Sequence, residues 1–228
     1  MITALRSKTP TQVHGDVAGF ATRYVEDWKR WSLAAPDERP ALFVKTLGNW
    51  QATRPAKLRR LRVRAGEHPP PYIEDLLKSA APHLHVLRNF EVGQTGPVKR
   101  SERTALAALW KVLSSLQQGG KSASCVAITK AVLLLSNGRI GPAFDSQVRR
   151  KLDVKHLRTA ADWISALADV SADIRAFEER YRVSLSKVVP SKYANLGYGR
   201  LYDMALGPRS PNKDLQPSAT SAMMRRRG

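Results

Sequence analysis

Residues 101–152 read SERTALAALWKVLSSLQQGGKSASCVAITKAVLLLSNGRIGPAFDSQVRRKL, and this stretch decides the fold. Leu106, Leu109, Trp110 and Leu113 recur three or four residues apart, which places them on one stripe of a helix running to Leu116. Ser101-Glu102-Arg103-Thr104 supplies a polar start, and Gln117-Gln118-Gly119-Gly120 supplies a stop. A second helix is expected from near Ser122 to near Ser136, followed by the turn signal Asn137-Gly138. A third begins after Pro142 and holds Phe144, Val148 and Leu152. Successive helical patterns with no alternating strand between them specify an all-α domain.

The flanks agree. Residues 19–33 carry Phe20, Tyr24, Val25, Trp28 and Trp31 at helical spacing, and Pro36 to Pro40 mark a loop. A short helix is expected over 41–50, with Leu42, Phe43 and Leu47 inward. Residues 72–79 read as helix, 82–90 are ambiguous between helix and loop, and 93–97 form a turn-rich connection. One or two helices are expected over 156–182, with Trp163, Ile164, Leu167, Ile174, Phe177 and Tyr181. A last helical region, interrupted near Gly197 and Gly199, offers Tyr193, Leu196, Tyr198, Leu201, Tyr202, Met204 and Leu206 to the core. No internal repeat appears. The expected organisation is a flexible segment 1–15, one compact multi-helix domain over 16–207 and a disordered basic tail over 208–228.

Charge narrows the partner. Lys plus Arg number 38 against 19 Asp plus Glu, a formal net charge of +19 over 228 residues. Such an excess attracts polyanions, and phosphate backbones release counterions when neutralised. DNA is the expected partner, ahead of RNA. A membrane surface is not, because no cationic amphipathic helix with a bulky apolar face stands out. The longest apolar run, Ala131 to Leu135, cannot span a bilayer. No apolar leader is evident near Met1, so a cytoplasmic location is expected. Cys125 is the single cysteine, and its apolar setting reads as a buried, inert thiol. His14, His68, His83, His85 and His156 have no metal-ligand spacing, and surface or loop positions are expected for His83 and His85. No metal or cofactor is expected.

Three stretches are candidates for nucleic-acid contact. Residues 54–64 hold six cations (Arg54, Lys57, Arg59, Arg60, Arg62 and Arg64) and no acid. Leu58, Leu61 and Val63 interleave with them, so part of the run should be structured over an anionic partner; a solvated face is the plain alternative. Trp50, just upstream, reads as core or as a base-stacking aromatic. Gly119-Gly120-Lys121-Ser122 joins two helices, and amide groups at the second helix start beside Lys121 favour an anion. The alternative is an ordinary interhelical turn. Third, Asp145 falls at a helix start with Arg149 and Arg150 one turn on, where a phosphate could approach. An ionised, partly enclosed carboxylate there can stabilise a developing cation or orient a water, or it can be a helix cap and no more.

Taken together, residues 116–150 resemble the helix-hairpin-helix DNA glycosylase superfamily. Members carry a hairpin of the form Leu-Pro-Gly-Val-Gly-x-Lys-Thr-Ala, a helix, and a segment like Ala-Val-Asp-Thr-His-Val-x-Arg. Leu116 to Ser124 stand in the hairpin's place, and Ala143-Phe144-Asp145-Ser146-Gln147-Val148-Arg149 in that of the aspartate segment. The resemblance implies an all-helical fold, phosphate binding by the hairpin, and Asp145 at the catalytic aspartate of a base-excision hydrolase. Gly119-Gly120 replaces the family's Gly-x-Gly, and neither Lys121 nor Lys130 stands in the family's lysine register. The expected function is DNA binding with a glycosylase-like pocket at Asp145. The alternatives are a non-enzymatic module for DNA or RNA, and an interaction protein for an acidic partner. A pocket at Asp145 separates the first from the second, and a large exposed apolar patch would mark the third. Tyr198-Gly199-Arg200-Leu201-Tyr202-Asp203 could line a cleft, although nothing in its spacing demands chemistry.

Overall fold

The computed structural model describes residues 4–20, 22–50, 52, 71–94, 96, 98–116 and 123–207. Ten α-helices and one 3-10 turn account for the regular structure among them, with no strand. In chain order they are α1 (Pro10–Ala18), α2 (Thr22–Leu33), α3 (Arg39–Asn49), α4 (Pro71–Val86) and α5 (Arg100–Ser114). They continue with α6 (Cys125–Leu135), α7 (Ser146–Lys151), α8 (Ala160–Tyr181), α9 (Leu185–Val188) and α10 (Tyr198–Leu206). The fold class read from the sequence, all-α, is the one observed.

The stripes land where periodicity puts them. Leu106, Leu109 and Leu113 of α5 are fully buried, and Trp110 lies against Trp163 of α8 with ring centroids 5.6 Å apart. Helix α6 is apolar on nearly every face, and Ala127, Ile128, Ala131, Val132, Leu133 and Leu134 are all buried, so it is the central helix. Helix α5 packs on α4, α6 and α8, and α10 packs on α1, α7 and α9. The expected helix or pair of helices over 156–182 is one 22-residue helix, α8. Thr159 Oγ1 accepts the Asp162 N–H at 3.1 Å, and Asp162 Oδ2 accepts the Thr159 N–H at 2.9 Å, closing a capping box.

Several boundaries differ, each for a local reason. Helix α4 takes in the first part of the ambiguous stretch, to Val86, and a turn follows over 87–89; Pro82 lies inside the helix and costs one backbone hydrogen bond, while Ile73, Leu76 and Ala80 bury its inner face. His83 and His85 therefore stand in its last turn and not in a loop. Helix α6 begins at Cys125, capped by Ser124, a little later than expected, and Cys125 is half-buried. The helix after Pro142 begins only at Ser146; Phe144 precedes it outside any helix, and Asp145, with extended backbone, is its N-cap. Helix α5 begins at Arg100, where Glu102 reaches back to accept the Lys99 N–H at 2.8 Å.

The segment read as flexible over 1–15 is the largest departure. Thr9 and Gln12 form a capping box with Pro10 at the first helical position, and Val13 and Val17 are buried. The buried carboxylate of Asp173 on α8 holds the chain ahead of it. Its oxygens accept the Leu5 N–H at 2.6 Å, the Arg6 N–H at 3.2 Å and the Tyr202 hydroxyl at 2.8 Å. Burial and the Asp173 charge raise the Tyr202 phenol far above its ordinary pKa, so it donates throughout the physiological range. Asp173→Ala is expected to lose about 3 kcal/mol in denaturant melts, because two buried donors lose their acceptor. Limited proteolysis should then cut ahead of α1. An unchanged digestion pattern would mean that apolar packing of Leu5 alone holds the segment.

Candidate functional site

The Asp145 site forms where two distant pieces of chain meet backbone to backbone. Asn137-Gly138 turns the chain after α6 with both residues in the left-handed region, φ 51° and 77°. Gly197 and Gly199, at the start of α10, lie directly on the chain that follows. A Cβ on Gly197 would come within 2.6 Å of Gly138, and one on Gly199 within 2.6 Å of Gly141. The Arg200 N–H donates to the Gly138 carbonyl at 2.9 Å, which sets the register between the two segments. Glycine at both positions permits this approach; the helical region expected from Lys187 to Leu206 is broken between Val188 and Gly197, whereas Gly199 lies within α10.

Side chains from two helices then pin the residues before Asp145. The Ala143 N–H donates to Asp203 Oδ1 of α10 at 3.2 Å. The Phe144 N–H donates to Thr129 Oγ1 of α6 at 3.0 Å. Asp145 follows as the N-cap of α7, and its Oδ1 accepts the Gln147 and Val148 N–H groups at 2.9 and 3.0 Å. Its Oδ2 has no hydrogen-bond partner among the described residues.

That carboxylate borders a small cavity of about 30 Å³, lined by Phe20, Trp50, Lys130, Leu133, Ala143, Asp145, Arg200 and Asp203. The volume suits one water. Lys130, half-buried on α6, donates from Nζ to the Trp50 carbonyl. Arg200 is 2% exposed, and a buried guanidinium needs a counter-charge and a polarisable surrounding. Asp203 Oδ2 accepts from its Nη1 at 2.7 Å. Phe20, Trp28 and Trp50 present their rings with centroids 5.0, 5.6 and 5.3 Å from the guanidinium carbon. Trp28 and Trp50 are themselves parallel, 3° apart in plane. Burial pushes the Asp203 carboxyl up to about 6 and Asp145 adds to this, while Arg200, Lys130 and the Ala143 N–H pull the other way. Burial and Lys8 lower the Lys151 ammonium pKa, with Asp145 opposing them.

Of the residues read from the sequence, Asp145 is at the cavity, Arg149 is half-buried with Nε enclosed and unpartnered among the described residues, and Arg150 is exposed. Gly119, Gly120, Lys121 and Ser122 lie outside the described residues, as do Arg54, Lys57, Arg59, Arg60, Arg62 and Arg64. Trp50 is core and cavity wall at once. The sequence marks Arg200 and Asp203 only as part of a stretch that could line a cleft, and Lys130 only as standing outside the family's lysine register; all three line the cavity. The available signal was an Arg and an Asp three apart in the otherwise apolar 198–206 stretch, where a charged pair must face inward. Among the described residues no cluster of His, Cys, Asp and Glu could hold a metal, and no helix is long and apolar enough to cross a membrane. No protein-family model, no curated protein and no solved structure matches the chain.

Proposed function

We propose that the protein binds DNA and that the Asp145 cleft acts on it as a glycosylase-like hydrolase, releasing a modified base. The observation that carries this reading is the half-capped carboxylate. Asp145 uses Oδ1 to hold α7 and keeps Oδ2 without a described partner beside a cavity shared with Lys130, Arg200 and Asp203. Breaking an N-glycosidic bond builds positive charge on the sugar, and a fixed carboxylate stabilises that charge without reorganising. Asp145 is fixed by the two amides it caps, by Ala143 and by Phe144. A water in the cavity would form the new bond to the sugar C1′ as the C1′–N bond breaks; its proton would pass to Asp145, and the departing base would take up a proton from solvent. The net charge of +19, with Arg149 and Arg150 one turn beyond, supplies attraction for the phosphate backbone.

A second reading, a nucleic-acid-binding module without catalysis, is favoured by one specific observation: the cavity has room for a water and not for a base. The two readings share their binding step and part at base release. The test is base release from a panel of duplexes carrying oxidised, alkylated or deaminated bases, run beside a binding titration. Release from one of them supports the hydrolase; binding without release from any supports the module.

Binding has its own check. Duplex affinity is expected to fall by roughly a thousandfold between low and moderate salt if six or more phosphates are neutralised. Changing Arg59, Arg60, Arg62 and Arg64 together to Ser should weaken binding and flatten that salt dependence while leaving the helical circular dichroism intact. Affinity that is flat in salt would remove nucleic acid as the partner, and unchanged affinity in the fourfold variant would move the footprint away from that run.

A further inference from the structure

Asp203 lies on α10, far along the chain from Asp145, yet both carboxylates line the same cavity. Its two oxygens have separate partners. Oδ1 accepts the Ala143 N–H, two residues ahead of the aspartate cap. Oδ2 accepts from Arg200, whose guanidinium lies against Phe20, Trp28 and Trp50. A helix start needs nothing from α10, because the Gln147 and Val148 amides already satisfy the cap. The tie to α10 fixes where the cap stands relative to the aromatic wall. We infer that Asp203 is a positioning residue for Asp145, clamping the aspartate cap to the aromatic wall of the cleft through Ala143 and Arg200.

The clamp responds to the protonation of Asp203. The charged groups facing it are Arg200 on its own helix, Lys130 from α6 and Asp145 from the start of α7; Phe20 and Trp50 complete the wall without charge. With its carboxyl held up to about 6, Asp203 is ionised and pairs with Arg200 above that pH. As pH falls through that value it takes up a proton; the carboxyl binds that proton more tightly buried than exposed, so protonation favours the closed clamp and ionisation above that pH weakens it.

This inference rests on the proposed hydrolase only for its effect on base release; the clamp itself can be tested on the protein alone. The probe is hydrogen exchange at the Gln147 and Val148 amides, the two donors to Asp145 Oδ1. The Leu167 and Ile174 amides on α8 serve as the reference for global opening. Protection of the two probe amides, corrected for intrinsic rate and taken relative to α8, is expected to rise about tenfold as pH is lowered from about 7.5 to about 5. In Asp203→Asn the step should be absent, because the amide does not titrate. Probe amides that follow α8 at both pH values in the unaltered protein would overturn the clamp, as would an Asp203→Asn protein that shows the same step. If Asp203→Asn does not fold, the pH series on the unaltered protein decides. In single-turnover base release, Asp203→Asn should slow the reaction without changing duplex affinity. Absence of release from the unaltered protein would overturn the hydrolase reading and leave the exchange result to judge the clamp.

Discussion

Asp145→Asn is expected to slow base release by about a thousandfold while leaving the fold, duplex affinity and stability almost unchanged. The two functions of the side chain separate in this variant. As a cap, asparagine is about as good as aspartate, and Oδ1 can still accept from Gln147 and Val148. As an electrostatic group it is not, because an amide carries no net charge to set against the positive charge growing on the sugar. The measurement is single-turnover release from the best substrate of the panel, with a thermal melt and a binding titration on the same preparation. Release at the original rate would reduce Asp145 to a cap. A large loss of stability would show instead that its charge holds the cleft together.

Arg200→Met is expected to cost about 3–5 kcal/mol near pH 8, the usual result of leaving one member of a buried ion pair behind. Methionine matches much of the aliphatic volume between Phe20, Trp28 and Trp50, so the loss reports chiefly on Asp203. The sign of the pH dependence follows from the Asp203 carboxyl, which is held up to about 6 even with Arg200 present. Raised above its unfolded value, it disfavours the folded state once pH climbs through the folded pKa, and it has no such effect below the unfolded one. Removing Arg200 raises it further. The cost of Arg200→Met should therefore shrink between pH 8 and pH 5, as Asp203 takes up its proton and no longer needs a partner. Denaturant melts at the two pH values check this. Adding Asp203→Leu to Arg200→Met should recover much of the loss at pH 8, since no buried charge then remains. An equal cost at both pH values would mean that ring packing, and not the ion pair, is what Arg200 contributes.

Much of the fold was legible in the sequence because a helix advertises its buried face locally. The stripe through Leu106, Leu109, Trp110 and Leu113 and the long pattern from Trp163 to Phe177 follow from a 3.6-residue period, the apolar run through Val132 to Leu134 marks a helix apolar on nearly every face, and each is buried. Asp145 was legible for the same reason, since a cap is a relation among neighbours in sequence. The N-terminal helix was missed because what holds it lies elsewhere: Asp173 gathers Leu5, Arg6 and Tyr202, which are adjacent only in space. Helix α4 crosses Pro82 because burial of its inner face outweighs one lost hydrogen bond, a balance that local propensity cannot weigh.

By itself, then, the sequence determined an all-α chain of strong positive charge with an aspartate at a helix start. Only the tertiary structure decided what faces that aspartate. Lys130 lies out of the resembled family's register, but register counts residues along the chain, whereas the cavity is set by how α6, α7 and α10 pack. Arg200 and Asp203 enter it because Gly197 and Gly199 let α10 rest directly on Gly138 and Gly141, a contact between segments nearly sixty residues apart. No local pattern encodes such a contact. It exists because two backbones without intervening side chains can approach closely, and a buried charge on one must then find its partner within the same helix.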